Sequence, residues 1–181
     1  MYYLGIDLGS SSIKIALVEQ SSGKKVAIGQ EPENEMSMQA AKLGWAEQEP
    51  ELWWRLVCQG IQRISKENNV SSDKILGIGI AYQMHGLVVV GADGKPLRNS
   101  IIWCDSRAVG IGDKAYAELG EENCDSMLLN SPGNFTASKL AWVRENEPDV
   151  FAKVHKFMLP GDYIAYKLSG KIASTVSVGF S

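Results

Sequence analysis

The sequence predicts an α/β fold: a mixed sheet that begins with an N-terminal antiparallel three-strand meander and is flanked by helices. Two patterns support this prediction. Over residues 1–30, apolar runs rich in β-branched and aromatic residues alternate with small polar residues, which is typical of paired strands. Over residues 50–66, apolar residues at three- and four-residue spacing are typical of a helix that buries one face.

The predicted strands are short apolar runs. They cover residues 2–6, 13–18, roughly 24–30, 75–81 and 87–90, with a further apolar edge at 100–102. Turns rich in glycine and serine, at residues 9–12 and 21–23, separate the first three strands. The run at 75–81 is almost continuously apolar, which predicts a strand buried on both faces.

The predicted helices cover residues 50–66, 107–119, 136–146 and 160–168. Pro50 suits the first turn of a helix, where a missing N–H costs little. Gly110 and Gly112 weaken the second helix, because glycine has a low helix propensity. Thr136 is the predicted N-cap of the third helix, and Gly170 is the predicted C-cap of the fourth.

Composition argues against several classes of function. With 45% hydrophobic and 22% charged residues the chain can bury a globular core, and its net charge of −3 gives no electrostatic support for binding nucleic acid. No apolar run reaches the roughly 18 residues that a membrane helix needs. Three widely spaced cysteines predict reduced thiols in the cytoplasm, and two histidines are too few for a plausible zinc cluster.

The turn after the first strand carries the clearest chemistry. Asp7 ends the strand, Gly9 lets the backbone approach an anion, and Ser10, Ser11 and Ser12 can donate hydrogen bonds to phosphate oxygens. A carboxylate beside such a cradle repels phosphate unless a cation lies between them, so the pattern predicts a site for a Mg²⁺–nucleotide triphosphate. A Walker loop does not fit, because its lysine and Ser/Thr stand at the start of a helix and here a strand follows Gly9. A dinucleotide-binding motif does not fit, because it needs three glycines and this turn has one. An ordinary Gly-Ser turn is the alternative.

Several strings of residues, in order along the chain, resemble one family. DLGSSSIK at 7–14 is similar to the first phosphate motif of the actin and sugar-kinase superfamily. GWAEQEPELWW at 44–54 narrows the resemblance to the FGGY carbohydrate kinases, and QMHG at 83–86 is similar to the xylulokinases within them. Three further strings match this family: IIWCDSR at 101–107, FTASKLAWV at 135–143 and FMLPGDYIAYKLSG at 157–170.

This resemblance implies an actin-like (ribonuclease H-like) ATPase fold and an ATP-dependent kinase of a ketose, with D-xylulose as the expected substrate and D-xylulose 5-phosphate as product. Asp7 is then the catalytic residue that positions Mg²⁺, while Gly9 and the serines at 10–12 hold phosphate oxygens. Lys14 either projects toward phosphate or is a solvated strand lysine. The expected partners are the sugar and ATP, and a homodimer is left open.

The predicted sugar-binding residues are Gln83, Met84, His85, Trp103 and Asp105. The first three follow a strand, and ligands favour strand ends in α/β sheets. A neutral imidazole can donate and accept hydrogen bonds, and an indole can stack on a sugar. Each role has a structural alternative. His85 could be a hydrogen-bonded histidine at a strand end, Trp103 could belong to the core, and Asp105 could cap the helix that begins near Arg107. Asn134 and Thr136 are weaker candidates.

Other conspicuous residues are assigned to structure. Trp45, Trp53 and Trp54 are predicted to pack, since adjacent helical tryptophans do not share a face and an apolar stripe explains Trp53. The glutamates at 31, 33 and 35 are predicted to lie in an exposed loop and not to bind metal.

The resemblance implies that residues 1–181 form a single, incomplete N-terminal domain. The catalytic base and the adenosine pocket of such kinases lie beyond residue 181, so this piece alone is expected to be inactive. Thr175 and Val178 replace usual acidic residues, and Tyr82 replaces a usual glycine, which weakens the choice of sugar. Kinases of ribulose, gluconate or glycerol are the nearest alternatives, and a non-catalytic actin-like sugar-binding module is the alternative outside catalysis.

Overall fold

A computed structural model of the chain describes residues 1–174, so Thr175 and Val178 lie outside the described residues. The strands are β1 Tyr2–Leu8, β2 Ile13–Glu19, β3 Lys25–Glu31, β4 Glu47–Gln48, β5 Ile75–Tyr82, β6 Val88–Val90, β7 Ser100–Ile101 and β8 Lys156–Met158. The helices are α1 Pro50–Glu67, α2 Val109–Leu119, α3 Glu121–Leu128, α4 Thr136–Asn146, α5 Pro148–Phe151 and α6 Pro160–Ser169. No helix of the described part has both the length and the apolar character for crossing a membrane.

The chain divides into two compact units. Unit 1 comprises Met1–Ser37 and Glu51–Gln83, and unit 2 comprises Met38–Pro50 and Met84–Ser181. Each unit is therefore built from two separate stretches of the chain. That residues 1–181 form a single, incomplete N-terminal domain stays a prediction.

Unit 1 contains a four-stranded sheet in the order β3-β2-β1-β5. β1 pairs with β2 and β2 with β3 in antiparallel fashion, whereas β1 and β5 are parallel. The predicted N-terminal meander and mixed sheet are thus confirmed. The register places Asp7 opposite Lys14, so these two side chains lie on the same face.

The core of unit 1 follows from strict alternation along β1 and β2. Their alternate residues are buried, namely Leu4, Ile6, Leu8, Ile13, Ile15 and Leu17. α1 covers this face, and a Cβ on Gly60 would lie 2.6 Å from the Ile15 Cδ1 atom, so the helix approaches the sheet closely. Trp53 is fully buried on α1, which confirms its predicted packing role.

The prediction that residues 75–81 are buried on both faces is wrong. This stretch forms β5, which is an edge strand of the described sheet and has β1 as its one neighbour there. Leu76 is 48% exposed and Ile78 is 41% exposed. An apolar run is compatible with a fully buried strand, but the burial of a strand also depends on whether it lies inside the sheet or at its edge.

Unit 2 has a core of its own and two-stranded sheets. Here β4 pairs with β7 and β6 pairs with β8, both antiparallel. The buried residues Leu87, Val89, Ile101 and Val143 pack with side chains of α4 and α5. Gly170 adopts a φ of 72° at the end of α6, which confirms the predicted C-cap.

The prediction that Thr136 caps α4 is wrong. Phe135 occupies the N-cap position with an extended backbone, and no side chain caps the helix there. Thr136 lies at the first helical position instead, and its Oγ1 hydroxyl donates to the Gly86 carbonyl oxygen over 3.3 Å. The hydroxyl therefore has a long-range partner that competes with the local capping geometry.

Candidate active site

The predicted phosphate turn of unit 1 is tight and needs its glycine. The Gly9 N–H donates to the Ser12 carbonyl oxygen over 3.1 Å. A Cβ on Gly9 would lie only 2.9 Å from that same oxygen, closer than real Cβ atoms come to backbone. The turn therefore forms a cradle that any side chain at position 9 would fill, as expected where backbone approaches an anion.

Residues 35 and 36 brace this turn. The Ser11 hydroxyl donates to the Glu35 Oε1 atom over 3.1 Å, and the Met36 N–H donates to the Ser11 carbonyl over 2.7 Å. Another glutamate of this region, Glu31 at the end of β3, forms an ion pair with Arg63 of α1, with 3.2 Å between its Oε1 atom and the Arg63 Nη2 atom. Glu35 and Glu31 thus have structural partners within unit 1. The phosphate-binding roles of Ser10, Ser11 and Ser12 stay predictions.

Asp7 and Lys14 lie side by side on the face of the sheet opposite α1. The Lys14 Nζ atom is 3.9 Å from the Asp7 Oδ2 atom, and both side chains are about half exposed. Both line an open groove of about 510 Å³ whose floor includes Gly5, Ala16 and Gly79. An exposed carboxylate is a hard oxygen donor of the kind that Mg²⁺ prefers, so the residues present fit a magnesium-bound polyphosphate.

Gln83 ends unit 1 and Met84 begins unit 2. The Gln83 N–H donates to the Leu8 carbonyl over 2.9 Å, which continues the pairing of β5 with β1 by one residue. The Gln83 side chain is 9% exposed, whereas Met84 is 61% exposed. Their predicted contacts with a sugar stay predictions.

His85 has an unusual backbone and a defined ring position. Its φ is 56°, in the left-handed region that non-glycine residues seldom adopt. The imidazole stacks on Phe135 with ring centroids 4.7 Å apart and planes 16° apart. Its Nδ1 atom is buried and has no hydrogen-bond partner among residues 1–174. Burial, and then the positive charge of Lys139, hold the pKa of His85 below its usual value, so the ring is neutral at pH 7.

Unit 2 connects His85 to Trp103 through two other side chains. The Lys139 Nζ atom donates to the His85 carbonyl over 2.8 Å and to the Asn134 carbonyl and Oδ1 atoms over 2.8 and 2.9 Å. The Asn134 Nδ2 atom donates to the Trp103 carbonyl. Trp103 itself is 48% exposed, so its indole is accessible. The structure therefore brings two predicted sugar residues into one hydrogen-bonded network.

Asp105 is buried and fully engaged by the protein. Its Oδ2 atom accepts from the Ala46 N–H over 2.6 Å, and its Oδ1 atom accepts from the Arg107 N–H over 2.9 Å. The Arg107 guanidinium forms a bidentate pair with it, at 2.7 Å for the Nη2–Oδ2 contact. The alternative that Asp105 caps α2 is wrong, because Ala108 is the N-cap of that helix. Its contact with sugar stays a prediction.

Sequence reasoning missed Lys139 and Arg107. The Lys139 and Arg107 side chains are both buried. The Arg107 Cζ atom lies 3.8 Å from the ring centroid of Trp45, which confirms the predicted packing role of that tryptophan. A signal for Lys139 was present: it stands four residues from both Phe135 and Val143, on the buried side of α4. No comparable local signal pointed to Arg107.

Known proteins resemble the chain along most of its length. A model for the N-terminal domain of the FGGY family of carbohydrate kinases matches residues 2–178. Xylulose kinase of Bacillus subtilis (strain 168) is 35% identical over 176 residues, which cover 97% of this chain and 34% of that protein. The chain therefore spans about a third of the length of such curated relatives.

Solved structures show the same architecture. The crystal structure of a xyloylose kinase from Brucella ovis is 32% identical with a TM-score of 0.83, covering 94% of this chain and 35% of the other. The gluconate kinase from Lactobacillus acidophilus is 27% identical with a TM-score of 0.85, covering 98% and 35%. These likenesses confirm the predicted actin-like α/β fold.

Proposed function

Because the chain belongs to the FGGY family of carbohydrate kinases, we propose that the whole protein transfers the γ-phosphoryl group of ATP to a small ketose, with D-xylulose as the expected substrate. The family match over residues 2–178, with relatives named as xylulose kinases, carries this proposal. The chemistry of the residues in both units supports it.

In the proposed reaction the terminal hydroxyl oxygen of the ketose bonds to the γ-phosphorus as the bond from that phosphorus to the bridging oxygen of ADP breaks. The hydroxyl proton goes to a base, which the resemblance places in a part of the relatives that this chain does not span. A bound Mg²⁺ would spread the charge of the phosphate oxygens. Asp7 would hold it, and Gly9 leaves room for the backbone N–H groups of the turn to face phosphate.

Unit 2 would bind and orient the sugar. The neutral His85 ring can both donate and accept a hydrogen bond, as a polyol requires. The exposed indole of Trp103 offers an apolar face for the C–H groups of the ketose. Met84 is exposed beside His85 and can add apolar contact. We also infer a cytoplasmic setting, which the free thiols of Cys58, Cys104 and Cys124 support.

The full-length protein tests this function in a coupled assay of ADP release with Mg²⁺-ATP. Xylulose, ribulose, gluconate and glycerol are compared at matched concentrations. We expect xylulose to give a kcat/KM at least about tenfold above the others, which corresponds to about 1.4 kcal/mol of discrimination. A preference for gluconate would support the second candidate, since a gluconate kinase is among the similar structures. Sugar binding without turnover would instead support a non-catalytic module.

A further inference from the structure

We propose that Lys139 is a positioning residue for the sugar site: its ammonium group ties the His85 backbone to Asn134 and so sets the geometry of the side chains that face the sugar. This inference rests on the proposed sugar-kinase function. It assigns a role to a residue that the sequence-based site did not include.

The first argument is the match between donors and acceptors. The Lys139 side chain is fully buried, and such an ammonium group needs a partner for each of its three protons. Three oxygens supply them at 2.8–2.9 Å: the His85 carbonyl, the Asn134 carbonyl and the Asn134 Oδ1 atom. These acceptors come from two separate segments of the chain, so the ammonium group fixes one segment against the other.

The second argument is the strained backbone at His85. A left-handed φ at a non-glycine residue is strained and persists only where the surroundings hold it. Lys139 donates to the carbonyl of this very residue, and Thr136 donates to the next carbonyl, that of Gly86. Phe135 stacks on the ring. The first turn of α4 therefore holds the turn that presents His85.

The third argument is the reach of Lys139 toward Trp103. Asn134 accepts from Lys139 through its Oδ1 atom and donates to the Trp103 carbonyl through its Nδ2 atom. A change at the ammonium group is therefore transmitted to both predicted sugar residues. A lysine with a purely local packing role would affect neither.

If Lys139 positions the sugar site, sugar affinity should depend on the protonation of its amine, whereas a packing role alone would give no such pH dependence. Burial lowers the pKa of Lys139 to about 8, while Asp105 and Cys104 oppose this shift and Arg107 adds to it. Above that pH the neutral amine has two protons for three oxygen acceptors. We therefore expect sugar affinity to fall as the pH rises through about 8. Burial is the main cause of the lowered pKa of His85, and the positive charge of Lys139 lowers it further.

Fold stability should move in the opposite direction. In the unfolded chain Lys139 keeps its proton up to about pH 10.4, so between the two pKa values the unfolded state binds more protons than the native state. The contribution of this group to the free energy of unfolding therefore rises with pH over that range. Titration of Lys139 itself would then weaken sugar binding without lowering the stability of the fold.

The test uses the full-length protein and measures the dissociation constant of D-xylulose by calorimetry from pH 6.5 to 9.5. Lys139→Met keeps the length of the side chain but leaves three buried oxygens without a donor. We expect its affinity at pH 7 to fall at least about tenfold and its dependence on pH near 8 to disappear. Ser138→Ala is the matched control, because it removes a buried hydrogen bond of the same helix to Pro132, at 2.7 Å, without touching His85 or Asn134. Its affinity should stay within about twofold of wild type.

A folded Lys139→Met variant with wild-type affinity and pH profile would overturn the inference. If that variant does not fold, the wild-type profile decides, and an affinity that stays constant between pH 7 and 9 overturns it. Failure of the proposed function looks different, because the wild-type protein would then bind no ketose at pH 7.

Discussion

The two units hold their charged side chains in opposite ways. In unit 1 Asp7 and Lys14 are half exposed, lie on neighbouring strands and are 3.9 Å apart. In unit 2 the side chains of Asp105, Arg107 and Lys139 are buried; Asp105 accepts from the Ala46 N–H and from Arg107, and Lys139 donates to the His85 carbonyl. The charges of unit 1 are therefore exposed, whereas those of unit 2 form a frame that holds the predicted sugar residues. Removing a charge should affect chemistry in unit 1 and folding in unit 2.

The largest expected effect tests the frame of unit 2. Arg107→Met leaves Asp105 buried without its bidentate partner, so the free energy of unfolding should fall by about 3–5 kcal/mol. Urea denaturation followed by circular dichroism measures it. Arg144→Met is the control, because Arg144 pairs with Glu145 over 4.0 Å on the exposed surface and its loss should cost less than about 1 kcal/mol. Equal losses in the two variants would contradict the contrast between frame and surface.

The second prediction tests the exposed carboxylate of unit 1. If Asp7 holds Mg²⁺ as proposed, Asp7→Asn should lower kcat of the full-length protein at least about a hundredfold, because the metal would lose a charged ligand, while the free energy of unfolding stays nearly unchanged. Asp93→Asn is the matched control: Asp93 is also exposed and pairs with Lys95 over 3.7 Å, outside any predicted site. Turnover of Asp7→Asn within a few-fold of wild type would remove the metal assignment.

The contrast between the units also explains what could be predicted from the sequence. The meander of unit 1 follows from alternation within β1 and β2 and from one glycine-serine turn, all of which are local patterns. The candidate residues Asp7 and Gly9 lie in that same local pattern. Burial of β5 was predicted wrongly, because coverage of an edge strand depends on elements that its own residues do not specify.

In unit 2 the candidate sugar residues could be proposed from the sequence, but the residues that support them could not. Lys139 contacts the carbonyl of His85, 54 residues earlier, and Asp105 accepts from the Ala46 N–H, 59 residues earlier. A backbone carbonyl or N–H has no residue type, so no pattern of side chains indicates that it will be a partner. The Thr136 cap failed for the same reason, since its hydroxyl donates to a distant carbonyl.

The third prediction asks how tightly unit 2 holds the turn that carries His85. A Cβ on Gly86 would lie 2.5 Å from the Pro160 Cγ atom and 3.0 Å from its Cδ atom. Gly86→Ala should therefore lower the free energy of unfolding by about 1–3 kcal/mol and raise KM for the sugar. Gly110→Ala is the control, since nothing lies within 4 Å of its added Cβ and a helical alanine is favoured over glycine by about 0.5–1 kcal/mol. A sugar KM unchanged by Gly86→Ala would mean that the turn adapts freely.

The smallest expected effect concerns Lys14. Its ion pair with Asp7 is long and half exposed, so Lys14→Met should change the free energy of unfolding by less than about 1 kcal/mol. If the lysine faces phosphate, KM for ATP should rise several-fold in the coupled assay. Lys25→Met, on exposed β3 of the same sheet, controls for the loss of a surface charge. Equal KM values for both variants would identify Lys14 as a solvated strand lysine.

The parallel pairing of β1 with β5 has a consequence for the order of events on the ribosome. Residues 2–31 contain the whole meander and can pair as soon as they emerge, because each partner is the next strand in the chain. β5 ends at Tyr82, so at about 5–20 residues per second it follows several seconds later. During that interval the edge of β1 that later pairs with β5 has no partner in the meander, so it is open to pairing with another strand.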